Sequence, residues 1–206
     1  GTVGRALPGC EVRIAEDGEV LIRGPHIFRG YYRNDDASFG AIVDGWLHTG
    51  DLGSRDEDGY LSITGRKKAI IITAGGKNIA PSEIENALKD SEFVKEAIVV
   101  GEAKKYLGAI IQIDYDNVGR WARDRALAYT NYKSLSQLPE VHELVESIVG
   151  ETNKRFARVE NVRRFAILEK ELDHDDGELT ATQKVRRAMI EKKFARELAI
   201  IYPAEG

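Results

Sequence analysis

The chain has 206 residues, 42% of them hydrophobic and 31% charged, an ordinary globular composition that suffices for one large domain or two modest ones. Its 34 acidic and 30 basic side chains leave a formal charge of −4, so no overall basic field draws it to nucleic acid or anionic lipid. A single cysteine, Cys10, excludes an intramolecular disulfide and a cysteine-based metal site, and His26, His48, His142 and His174 lack metal-ligand spacing.

The opening GTVGRALPGC has neither a starting Met nor a charged segment followed by an apolar run. It reads as a piece of a longer protein without a signal peptide, expected in a reducing, cytoplasmic-type compartment. Residues 11–24, EVRIAEDGEVLIRG, predict two strands around Glu16-Asp17-Gly18, with Val12, Ile14, Val20 and Ile22 alternating with polar neighbours. WLHTGDLG at 46–53 reads as a strand running into a polar turn, in which Thr49-Gly50-Asp51 holds a carboxylate beside a flexible glycine. GYLSIT at 59–64 is a further strand, entered from the turn Asp56-Glu57-Asp58-Gly59.

After Gly65-Arg66-Lys67-Lys68 the texture changes. AIIIT predicts a buried strand and GGKN a glycine turn. PSEIENALKD predicts a helix with Ser82 and Glu85 as a capping box and Ile84, Ala87 and Leu88 on one face. VKEAIVVG and LGAIIQID are strand candidates. PEVHELVESIVGETNKRF carries Val141, Leu144, Val145, Ile148 and Phe156 at helical spacing. VRRFAILE reads as a last strand and ATQKVRRAMIEKKFARELAII as one long C-terminal helix. The expected class is α+β, with a small β-rich piece over residues 1–65 and a compact α+β domain over 66–206.

Taken singly, Thr-Gly-Asp is a turn, Gly-Arg-Lys-Lys a solvated basic patch and Lys184 part of a wet helix face. In series, GEVLIRGPHIFRGYY, WLHTGDLG, DGYLSITGRKKAIIITAGGKNIAPSEIE and LTATQKVRR resemble the C-terminal part of the adenylate-forming, or AMP-binding, enzymes. These include acyl-CoA synthetases, peptide-synthetase adenylation domains and luciferases. GGKNIAPSEIE, the insertion at 115–160 and the ending ELTATQKVRR most resemble long-chain fatty acid–CoA ligases. The resemblance implies that residues 1–65 form the distorted, barrel-like end of a large AMP-binding domain. Residues 66–206 would be a mobile C-terminal domain hinged near Lys68.

The chemistry it implies has two steps: a fatty acid carboxylate attacks the α-phosphate of ATP, and the thiol of coenzyme A then displaces AMP from the acyl-adenylate. By the same resemblance, Asp51 would accept hydrogen bonds from both ribose hydroxyls, and Arg66 would pair with the ribose or phosphates. Ile63 would lie against the nucleotide, with ordinary strand core as its other reading. Gly76 would line the pantetheine passage, and Lys77 would meet coenzyme A phosphates. Lys184 would bridge carboxylate and triphosphate, with Lys192 and Lys193 as alternative registers, because Gln183 stands where many members carry Gly.

The phosphate loop, the Mg²⁺ site and the acid pocket are expected upstream, so the partners are fatty acid, ATP, coenzyme A and an N-terminal domain. Peripheral membrane contact would come through that domain. The isolated chain is expected to be inactive. The alternatives are another carboxylic acid as substrate, or a non-catalytic nucleotide-binding or regulatory module.

Overall fold

The alternation at residues 11–24 becomes a hairpin of β1 (Glu11–Ile14) and β2 (Glu19–Arg23) in the computed structural model, which describes residues 1–203 apart from the side chain of Lys68. Val12 pairs with Ile22 and Ile14 with Val20, so the four predicted apolar residues share one face. Val20 and Leu21 are nonetheless both buried, so both faces of β2, an inner strand, are covered at this point. The chain divides into two compact units, Gly1–Ile70 and Ile71–Gly206.

The first unit continues with α1 (Asp35–Ala41), which the sequence reading did not predict; the Asn34 side chain caps it by accepting the Ala37 N–H at 3.1 Å. After it come β3 (Ile42–Val43), β4 (Trp46–Arg55) and β5 (Leu61–Arg66). The expected turn at Thr49-Gly50-Asp51 is not a turn, since β4 runs ten residues straight through it. A bulge accommodates the polar residues: with His48 opposite Leu21 and Leu52 opposite Glu19, Val20 alone faces Thr49, Gly50 and Asp51.

The strand order is β1-β2-β4-β3, with β5 also on β4. This corrects the barrel-like expectation to an open sheet. Closure requires the two edges to pair, and β1 pairs only with β2 among the described strands.

In the second unit, β6 (Ile71–Ile72) and β7 (Asn78–Ile79) form a short hairpin around the glycine turn. Next come α2 (Pro81–Lys89), β8 (Val94–Val100) and β9 (Leu107–Ile113). A helical crossover of α3 (Tyr115–Asp124), α4 (Tyr132–Ser136) and α5 (Pro139–Asn153) leads to β10 (Val162–Ile167). The chain closes with α6 (Arg187–Lys193) and α7 (Ala195–Ile201).

The sheet order is β10-β9-β8, antiparallel between β8 and β9 and parallel between β9 and β10. All seven residues of β9 are buried. Leu107, Ala109, Ile111 and Ile113 pack with Ile84, Leu88, Val118, Val141 and Val145, while Ile110 packs on the other face with Leu168, Ile190, Phe194 and Ile201. Helices therefore cover both faces, which is why LGAIIQI reads as an unbroken apolar run.

Two predicted features differ. The Ser82–Glu85 capping box does not form: α2 starts at Pro81, which places Ser82 inside the first turn instead of at the N-cap, and the N-cap residue, Ala80, has no side-chain acceptor. The long C-terminal helix is replaced by a hairpin turn at 180–184 and two short helices. Thr180 Oγ1 accepts the Lys184 N–H at 3.0 Å while Thr180 N–H donates to Lys184 O at 2.8 Å, diverting these groups from a helical ladder. Further on, Phe194 leaves helical geometry (φ −101, ψ 43) and its ring is buried.

Two glycines should respond oppositely in equilibrium denaturant unfolding. Gly150, in the interior of α5, has open space where a Cβ would stand, so Gly150→Ala should stabilise by about 0.5–1 kcal/mol. A Cβ on Gly108 would overlap Ile201 Cγ2 and stand 3.1 Å from Arg164 O, so Gly108→Val should destabilise by about 1–3 kcal/mol.

Candidate functional site

One carboxylate buried in the first unit holds the β4 bulge. Glu19, only 4% exposed, accepts the Gly50 N–H on Oε1 at 2.9 Å, and its Oε2 lies 3.0 Å from both His48 Nδ1 and Lys67 Nζ. Asp17 Oδ2 holds Lys67 from the other side at 2.6 Å. Burial pushes the Glu19 carboxyl up, but hydrogen bonds from His48, Lys67 and the Gly50 amide more than offset it and hold the group below the usual carboxylate range. Hydrogen bonds to Asp17 and Glu19 raise Lys67 in turn.

The bulge is also tied by Thr49, whose Oγ1 donates to Val20 O at 2.7 Å and accepts the Asp51 N–H at 3.1 Å. Gly50 adopts φ +72 between them, a left-handed conformation that glycine takes without the cost a side chain adds.

This backbone carries Asp51, which stands opposite Arg66 in the β4–β5 register, with Arg66 Nε 3.0 Å from Asp51 Oδ1. Their side chains are 29% and 68% exposed, respectively. An ion pair this open contributes about 0–1 kcal/mol, whereas a shielded charge-assisted hydrogen bond contributes about 1.5–3 kcal/mol. Hydroxyls of a ligand can therefore displace Arg66 from Asp51.

Ile63 lies across from Gly53 on the same strand pair and is 43% exposed. The first unit also carries an open groove of about 670 Å³, lined by Glu19, Tyr31, His48, Thr49, Gly50 and Arg66 among others. Lys68 falls in the 3₁₀ turn Lys67–Ala69 that follows β5, and its side chain is outside the described residues.

In the second unit, the loop between β6 and β7 is closed by Thr73 N–H to Lys77 O at 3.1 Å and Gly76 N–H to Thr73 O at 2.8 Å. It is stitched to the loop after β8 by Ala74 N–H to Lys104 O at 2.9 Å. Gly76 sits at φ +71 with open space beside it, and Lys77 is exposed. A slender chain could pass close to the backbone here.

Lys184 lies on the exposed turn closed by Thr180, with a bridge between Leu179 and Val185 at its base. Gln183, just before it, adopts φ +59, which explains why glycine suits that position. The alternative Lys193 is occupied: its Nζ donates to Asp176 O and lies 3.4 Å from Glu178 Oε1. Lys192 is exposed on α6. Lys184 makes no ion pair among the described residues.

Glu178 is almost fully buried, and it also takes Lys170 Nζ at 3.0 Å and the Asp173 N–H at 3.0 Å. Among the described residues, no group of three or more His, Cys, Asp or Glu side chains could hold a metal ion. Sequence reasoning missed Glu19, Thr49, Lys67 and Glu178. The available signal was an acid against an apolar strand run in GEVLIRG.

Residues 68–206 match the family of AMP-binding enzyme C-terminal domains. Over all 206 residues the chain is 44% identical to the long-chain-fatty-acid–CoA ligase FadD15 of Mycobacterium tuberculosis, covering 100% of this chain and 34% of that protein. The chain thus spans about a third of the length of the curated relatives it matches.

Among solved structures, it is similar to the o-succinylbenzoate CoA synthetase MenE of Bacillus subtilis in complex with its acyl-adenylate intermediate. The TM-score is 0.68 at 25% identity, over 93% of this chain and 35% of that one. The adenylation domain of a carboxylate reductase from Mycobacterium chelonae shares the fold, with a TM-score of 0.73 at 19% identity over 96% of this chain and 31% of that one.

The Glu19 contacts set an acid dependence. A carboxyl lowered by folding stabilises above its unfolded pKa of about 4.3 and loses that contribution as pH falls through the folded value. Glu19→Gln should cost about 1.5–3 kcal/mol at neutral pH and flatten the decline of stability below about pH 5. Denaturant unfolding followed by Trp46 fluorescence in a Trp121→Phe background measures both quantities. Equal acid slopes in the two proteins would rule out the contribution.

Proposed function

The chain belongs to the AMP-binding enzyme C-terminal domain family, and from that membership we propose that it is the C-terminal third of an ATP-dependent long-chain fatty acid–CoA ligase. The reaction would join a fatty acid to coenzyme A through an acyl-adenylate, releasing pyrophosphate and then AMP. Identity of 44% along the whole chain to a protein named for that activity supports the substrate class. The observation that carries the nucleotide reading is the placement of Asp51 on a rigid bulge directly opposite Arg66.

In this reading, Asp51 accepts hydrogen bonds from the two ribose hydroxyls, since a carboxylate offers an acceptor oxygen to each. Arg66, released from Asp51, turns its donor fork to the ribose or phosphates. Ile63 supplies apolar contact to the nucleotide. Lys184 places a mobile ammonium between two anions, the fatty acid carboxylate and the α-phosphate, and stabilises the charge that grows as they react.

Gly76 leaves room for the pantetheine arm, and Lys77 stands where a phosphate of coenzyme A could reach it. Lys68 is the pivot between the two half-reactions. In the same reading, Mg²⁺ would be held mainly by the upstream domain of the parent enzyme, together with the ATP phosphates.

The half-reactions separate these roles. In the enzyme carrying this chain, Lys184→Ala should slow acyl-adenylate formation by about 10²–10³-fold and change thioester formation from supplied acyl-adenylate by no more than about threefold. Gly76→Trp should show the opposite bias. ATP–pyrophosphate exchange with hexadecanoate, acetate and o-succinylbenzoate in competition identifies the acid. The isolated 206-residue chain should show no exchange with any of them; clear exchange by it would overturn the assignment of the phosphate and acid sites to another region.

A further inference from the structure

We propose that Glu85 is a positioning residue for Lys184, acting through Arg187 and the outer edge of β8. The proposal rests on the adenylation role assigned to Lys184 above. Strand β8 is an edge strand, so its outward backbone groups have no neighbouring strand to pair with. At Val99 both groups are satisfied by side chains: the N–H donates to Glu85 Oε1 at 2.8 Å, and the C=O accepts from Arg187 Nη1 at 2.7 Å. Arg187 Nη2 also donates to Glu85 Oε1. The three contacts close a ring that supplies the donor and acceptor another strand would have brought.

This ring ties the first residue of α6 to the edge strand of the sheet. Lys184 lies three residues before Arg187. The backbone between them is held by Arg186 N–H to Glu178 O at 2.8 Å, by the Leu179–Val185 bridge and by the paired bonds between Thr180 and Lys184. Lys184 therefore has its backbone referenced to the sheet while its ammonium extends into solvent.

Glu85 does not touch that ammonium. Its carboxylate, absent from any capping box, sets where Arg187 anchors and hence where the turn projects. Displacement of a reacting group by about 1 Å lowers a rate by about 10²-fold, which is the scale such an anchor controls.

The test uses the enzyme carrying this chain. Glu85→Gln keeps an acceptor for Val99 but removes the charge that holds Arg187, and Arg187→Lys keeps the charge but loses the two-nitrogen contact. Each is expected to lower kcat for acyl-adenylate formation about 10–100-fold, with KM for ATP and thioester formation from supplied acyl-adenylate within about threefold of wild type. Added to Lys184→Ala, neither should slow adenylation further, because the group it positions is already gone.

Losses that multiply with Lys184→Ala, equal losses in both half-reactions, or no loss would overturn the positioning role. If Lys184→Ala itself spares adenylation, it is the assignment of Lys184 that fails, and the result identifies that failure separately. Hydrogen exchange on the 206-residue chain gives a second readout that does not depend on catalysis. Amides at 182–185 should exchange at least about tenfold faster in either variant, with those of β9 unchanged. Uniformly faster exchange across β9 would mark a general loss of stability and also refute the proposal.

Discussion

A backbone N–H that leaves its ladder but stays out of water must find another acceptor, at a cost of about 1–3 kcal/mol if it finds none. Glu19, Glu85 and Glu178 each meet that constraint. Glu19 accepts from Gly50 where β4 bulges, Glu85 from Val99 at the edge of β8, and Glu178 from Asp173 in the loop after β10. Each carboxylate also binds a cation: Lys67, Arg187, and Lys170 with Lys193. Taking a carboxylate out of water is costly, and pairing each with both a cation and an amide offsets that cost.

The arrangement places firm supports under loosely held candidate functional groups. The Gly50 amide is bound by a buried acid, whereas Asp51, the next residue, shares an open ion pair with Arg66. In the second unit, Val185 and Arg186 are held in place while Lys184 extends from the turn. Rigid backbone with an exchangeable side-chain partner suits a site that must be pre-organised yet still accept a ligand. A strong, buried Asp51–Arg66 pair would instead have to be broken at each binding event.

Much of the architecture was legible along the chain because burial leaves a period. Val12, Ile14, Val20 and Ile22 alternate because one sheet face is apolar, and LGAIIQI does not alternate because both faces of β9 are covered. The helical spacing of Val141 and Val145 likewise became the buried face of α5. What misled the reading was local chemistry with two outcomes. Ser82 and Glu85 have capping-box spacing, yet Glu85 reaches a strand, and Thr-Gly-Asp has turn composition, yet lies within a bulged strand.

The sequence by itself determined the class of fold, the family and the order of the candidate functional residues, because periodicity and motif order are properties of neighbours along the chain. Only the tertiary structure decided that Asp51 faces Arg66, that Lys193 is engaged by Glu178 while Lys184 is not, and that Gln183 turns left-handed. Those outcomes depend on partners far apart in sequence, from Glu19 to Lys67 and from Glu85 to Arg187. Hydrogen bonding and burial act on distance in space, which sequence spacing does not encode.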